Sequence, residues 1–91
     1  MNNLLSESDT KAVMDILVEQ LGVQEAQLTP DARLKEDLGA DSLTIAEITL
    51  ALEERFSLVI PDDESEGIST VVDLFEALAG LLEKRALGQP R

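Results

Sequence analysis

The sequence predicts an all-α fold: a small antiparallel bundle of three main helices plus one short helix, with a long loop between helices one and two. Three observations predict it. Apolar residues recur at helical spacing in three stretches, Gly and Pro separate those stretches, and no segment alternates persistently with a period of two. The run Ser57 to Ile60 is too short and too isolated to begin a sheet. A chain of 91 residues, 44% of them hydrophobic, has room for one core. A single domain over residues 1–91 is therefore expected, ordered over roughly 8–85.

Ser6 or Ser8 can cap the first helix, and Ala12, Val13, Ile16, Leu17 and Leu21 follow at helical spacing until Gly22 offers a left-handed stop. Helix one is placed at about residues 8–21. From Val23 to Ala40 the periodicity fails, and Leu28, Leu34 and Leu38 read as anchors that pin a long loop to the core. Asp41 is a good N-cap for a second helix from Ser42 to Phe56, which contains neither Gly nor Pro. Ser57 to Pro61 ends that helix. The acids of Asp62 to Glu66, followed by Gly67, suit a short helical turn. Ser69 or Thr70 starts the last helix, Asp73 completes a capping box with Thr70, and Gly80 is its one weak interior position. Residues 86–91, with Gly88 and Pro90, read as a frayed tail.

Composition narrows the function. Cysteine and histidine are absent, which removes disulfides, the usual Cys/His metal sites, thiol nucleophiles and the commonest general base. No metal site is expected. Nineteen acids against seven bases leave a net charge of −12, unfavourable toward nucleic acid and anionic membranes and favourable toward basic protein surfaces. The apolar runs fall far short of the ~20 residues that span a bilayer, and the Met1-Asn2-Asn3 start lacks a basic leader. A cytoplasmic monomer without membrane insertion is expected.

The second helix has two distinct faces. At about 100° per residue, Ile45, Ile48, Leu52 and Phe56 share a stripe fit for the core. The opposite stripe carries Leu43, Glu47, Leu50 and Glu54, so large apolar side chains alternate with carboxylates. One reading makes these ordinary exposed leucines and solubilising glutamates. The other makes them a docking stripe, with leucines filling shallow pockets and carboxylates steering a basic partner.

Ser42 lies at the head of the same helix, after Gly39, the small Ala40 and the capping Asp41. A serine beside an aspartate is ordinarily a helix start and nothing more. At this position, however, a phosphodiester on its hydroxyl would meet free backbone N–H groups and the positive end of the helix dipole.

In several linked blocks the chain resembles the acyl carrier protein family, and closely its free-standing bacterial type. The blocks are Leu38-Gly39-Ala40-Asp41-Ser42-Leu43, Glu47, Ala51-Leu52-Glu53-Glu54-Arg55-Phe56, Ile60-Pro61-Asp62-Asp63-Glu64 and Ile68-Ser69-Thr70-Val71. The resemblance implies a carrier, not an enzyme. A phosphopantetheinyl transferase would move 4′-phosphopantetheine from coenzyme A onto Ser42, and the distal thiol would carry acyl groups as thioesters. Asp41 would be recognised by the transferase. Leu43, Glu47, Leu50 and Glu54 would meet basic patches on ketosynthases, acyltransferases and other acyl-processing enzymes of fatty acid, polyketide or related pathways. Leu52, Ile60, Ile68, Val72 and Phe75 are candidates for the wall of an acyl pocket, with ordinary core as their other reading.

Two positions depart from the family pattern. Thr44 stands where an acid commonly follows Asp-Ser-Leu, and Arg55 interrupts a run that is often all glutamate. Both lower the negative potential along the second helix and leave room for a specialised acyl pathway. Two alternatives to an acyl carrier are a peptidyl carrier, which uses the same arm for amino acids, and an unmodified acidic interaction module. A calcium sensor lacks its ligand spacing at Asp62-Asp63-Glu64. Hydrolysis by Ser42 lacks a histidine and a Gly-x-Ser-x-Gly turn.

Overall fold

A computed structural model describes residues 5–88 of the chain. Helix α1 covers Glu7–Leu21, a 3-10 turn covers Glu25–Gln27, and α2 covers Ser42–Phe56. The short α3 covers Asp62–Glu66 and α4 covers Val71–Gly88. Three main helices and one short one, with no strand among the described residues, make the fold all-α. The only extended pairing described is an isolated bridge between Arg33 and Thr70.

Local chemistry sets the helix ends. The Ser6 side chain accepts the Asp9 N–H at 3.1 Å, so α1 begins one residue before the expected position. Gly22 closes α1 at φ 69°, a left-handed conformation in which a Cβ is strained. At the far end of α2 the left-handed residue is Ser57, at φ 54°. The Leu58 N–H then reaches back to the Glu53 carbonyl at 3.2 Å, a closure usually built on glycine. The capping box of α4 is reciprocal. Asp73 accepts the Ser69 and Thr70 N–H groups at 3.1 Å each, while the Thr70 hydroxyl accepts the Asp73 N–H at 3.2 Å. Helix α4 runs to Gly88 and passes the expected end of order at residue 85, because Ala86 and Leu87 favour helix and Pro90 lies beyond them. The rest of the expected tail, residues 89–91, lies outside the described residues.

The core is mostly aliphatic, with Phe56 and Phe75 the two aromatic residues of the chain within it. Val13 and Leu17 of α1, Ile48 and Leu52 of α2, and Val71, Leu74, Phe75 and Leu78 of α4 are buried, and no polar side chain is buried with them among the described residues. Leu28, Leu34 and Leu38 join this core and hold down the long loop between α1 and α2. Leu5, just before the α1 cap, is also buried and extends the core beyond the first helix. No helix among the described residues is long and apolar enough to cross a membrane.

Candidate functional site

The loop before α2 is built so as to present Ser42. Three hydrogen bonds fasten it across the start of α4: Leu34 N–H to Ser69 at 2.9 Å, Val71 N–H to Ala32 at 3.0 Å, and Val72 N–H to Pro30 at 2.9 Å. The last two satisfy orphan donors at the α4 N-terminus with loop carbonyls, and in the first the loop donates to the Ser69 carbonyl just before α4. Arg33 and Asp37 brace the next turn. The guanidinium donates to both carboxylate oxygens at 3.2 Å, and the Arg33 N–H adds a bond of 2.9 Å. The Arg33 side chain, with its backbone N–H, holds the Asp37 carboxyl below the usual aspartate range. Gly39 then turns the chain at φ 77°, and the buried Ala40 donates its N–H to Leu34 at 2.9 Å. The next two residues are Asp41 and Ser42.

Asp41 is the N-cap of α2. Its carboxylate accepts the backbone N–H and the hydroxyl of Thr44, each at 2.8 Å, and these two bonds hold it below the usual aspartate range. The Thr44 hydroxyl thus fixes the cap, and the first turn of α2 carries no acid. Ser42 is exposed at the first position of this turn.

Both faces of α2 stand as the helical period predicts. Ile48, Leu52 and Phe56 are buried, and Ile45 is half-buried. On the other side Leu43 is 68% and Leu50 56% exposed, and Glu47 and Glu54 are exposed with them. Arg55 places its guanidinium carbon 5.4 Å from the centre of the Phe56 ring, so its charge lies against the helix end. A third exposed apolar side chain, Val59 at 76%, sits in the α2–α3 loop. Periodicity could not flag it, because it lies outside any helix.

Two adjoining grooves share Ser42 and Ile45 on their walls. One, of about 410 Å³, is lined by α2 residues Ser42, Ile45, Ala46, Thr49, Leu50 and Glu53, and by Ile60, Asp62 and Ser65 across from them. The other, of about 240 Å³, is lined by Lys35, Ser42, Ile45, Ser65, Glu66 and Ile68. Of the five acyl-pocket candidates, Ile60 lines the first groove and Ile68 the second. Leu52 and Phe75 are fully buried core, Val72 is half-buried on α4, and none of these three lines either groove. The groove walls near Ser42 come instead from Ile45, Ala46 and Thr49, positions that the sequence assigns to the core stripe or to no role.

The phosphopantetheine attachment site family matches residues 11–78 of the chain. The chain is also similar to an acyl carrier protein of Syntrophobacter fumaroxidans, with 49% identity over 67 residues, 74% of this chain and 83% of that relative. The matched stretch includes the loop, all of α2 and α3, and the buried part of α4, the elements that present Ser42 and shape its grooves. On both the family match and the similarity to that carrier, the chain belongs to the acyl carrier protein family.

Proposed function

We propose that Ser42 is the residue to which the prosthetic group of this carrier is joined, and that the exposed stripe of α2 is where visiting enzymes dock. The cofactor of the family is covalently attached 4′-phosphopantetheine, which supplies a terminal thiol that holds acyl groups as thioesters. One observation carries the assignment to Ser42: its hydroxyl is exposed at the head of α2, on the shared wall of two grooves.

The residues present suit such a group. The first turn of α2 offers the positive end of a helix dipole to a phosphodiester, and it carries no acid of its own. The carboxylate of the preceding residue, Asp41, has one oxygen engaged by its two bonds to Thr44. Ser42 acts as the attachment oxygen, and Asp41 holds the turn that a phosphopantetheinyl transferase must recognise. The chain supplies no thiol and no histidine, so catalysis belongs to the partner enzymes.

Leu43, Glu47, Leu50 and Glu54 stand together on one exposed face, which favours the docking reading over that of scattered surface leucines. Ketosynthases, acyltransferases and other acyl-processing enzymes with basic patches are the partners that fit it, and the setting is cytoplasmic. Ile45, Ile60 and Ile68 give the grooves apolar wall for the start of an acyl chain or the arm itself.

The test is intact mass. The purified chain is incubated with coenzyme A, Mg²⁺ and a broad-specificity transferase. One phosphopantetheine adduct, mapped to Ser42 and absent from Ser42→Ala, is expected. No adduct with several active transferases, or one that persists in Ser42→Ala, overturns the assignment.

A further inference from the structure

Around Ser42 the chain is short of positive charge: from Glu36 to Glu54 no basic residue occurs. Yet the smaller groove beside Ser42 has a cation on its wall, Lys35, contributed by the preceding loop. Lys35 is exposed, and its ammonium makes no ion pair within 4.0 Å among the described residues, whereas Lys11 pairs with Asp15 and Arg33 with Asp37. Glu66 lines the same groove, but it forms no such pair with Lys35. The rest of this wall is Ser42 and Ser65, with Ile45 and Ile68 as its apolar part.

We infer that Lys35 holds the phosphodiester of the arm on Ser42 and so lays the first part of that arm along the groove toward Ile45 and Ile68. This rests on the assignment of Ser42 as the attachment point. Two further features of this chain work in the same direction. Thr44 leaves the first turn of α2 without an acid, and its hydroxyl helps pin one oxygen of the Asp41 carboxylate to the helix end. An anion on Ser42 therefore has one unpaired cation beside it, in the groove that leads to apolar wall. Glu66 is the competing anion. Both its position and the exposure of Lys35 mean that salt should weaken the pairing.

The experiment uses the full chain labelled with carbon-13 and nitrogen-15, loaded in vitro from unlabelled coenzyme A, its single adduct first verified by mass. Isotope-filtered NOEs from the methyl protons of the arm to the methyl groups of Ile45 and Ile68 are then measured at low ionic strength. NOEs are expected in the native protein, about two- to fivefold weaker in Lys35→Gln, largely kept in Lys35→Arg, and weakened in the native protein by added salt; that range is what a surface ion pair supports. Equal intensities in the native protein and Lys35→Gln, or no such NOEs in the native protein, overturn the role of Lys35 while leaving Ser42 as the attachment point. Failure to load the native chain instead overturns the assignment of Ser42. Because Lys35 is exposed, both variants should melt as the native chain does, which circular dichroism checks.

Discussion

The Glu53 carboxylate accepts the backbone N–H of Ile60 at 2.7 Å, a bond that spans seven residues and crosses the left-handed turn at Ser57. It ties the loop that carries Val59 to the last turn but one of α2, and both of its residues line the larger groove beside Ser42. Glu53 is thus a fastener of the groove wall, a role different from that of its neighbour Glu54, which is exposed to partners. Removing the carboxylate leaves the N–H of a buried isoleucine without its acceptor. Glu53→Ala should cost about 1 to 2 kcal/mol in urea unfolding. Glu53→Gln, which keeps an acceptor oxygen, should cost less. The Ile60 amide should exchange faster in Glu53→Ala; unchanged exchange would refute this role.

Asp73 gives a pH dependence of known sign. Backbone N–H groups of Ser69 and Thr70 hold its carboxyl below the ordinary aspartate value of 3.8. A carboxylate whose folded value is depressed stabilises the fold above its unfolded value, and that contribution is lost as pH falls through the folded one. The stability gap between the native chain and Asp73→Asn should therefore be full at neutral pH and close below 3.8. A gap that is the same at pH 7 and at the acid end of the transition would show that charge on Asp73 does not matter.

The docking stripe predicts a separation of stability from binding. Leu43 and Leu50 are more than half exposed, so truncating either to alanine should change stability by no more than about 0.5 kcal/mol. The same changes should weaken association with an acyl-processing enzyme, mainly through faster dissociation. Glu47→Gln and Glu54→Gln should instead slow association and flatten its salt dependence. Stopped-flow binding at two ionic strengths distinguishes the two effects, and a stripe insensitive to all four changes is not the docking face.

A net charge of −12 on so small a chain implies self-repulsion. Added sodium chloride should raise the melting temperature by screening. Millimolar Mg²⁺ should do so too, through diffuse charge relief, since no cluster of acids among the described residues is arranged to hold an ion. A melting temperature that stays level or falls with salt would contradict this account.

Much of this protein was legible in its sequence because the signals are local. Ser6, Asp41 and the Thr70–Asp73 pair cap helices through atoms three or four residues away, and Gly22 ends a helix by its own backbone freedom. The inner and outer faces of α2 follow from helical period alone. Ser42 at the head of that helix, with Leu43, Glu47, Leu50 and Glu54 on its outer side, therefore needs no tertiary information. Local signals could also place Leu34 and Leu38 as anchors, since isolated large apolar residues in a polar loop have few other roles.

What only the tertiary structure decided is which segments meet. Period shows that Leu52 and Phe75 point inward, but not whether they meet other core residues or the wall of a groove; packing puts both in the core. The walls beside Ser42 draw Lys35 from one loop, Ile60 from another, Ser65 from α3 and Ile68 from the turn after it. No spacing rule links these residues. Their proximity comes from the docking of the long loop on α4 and from the Glu53–Ile60 bond, contacts between distant parts of the chain that exist only once the core has formed.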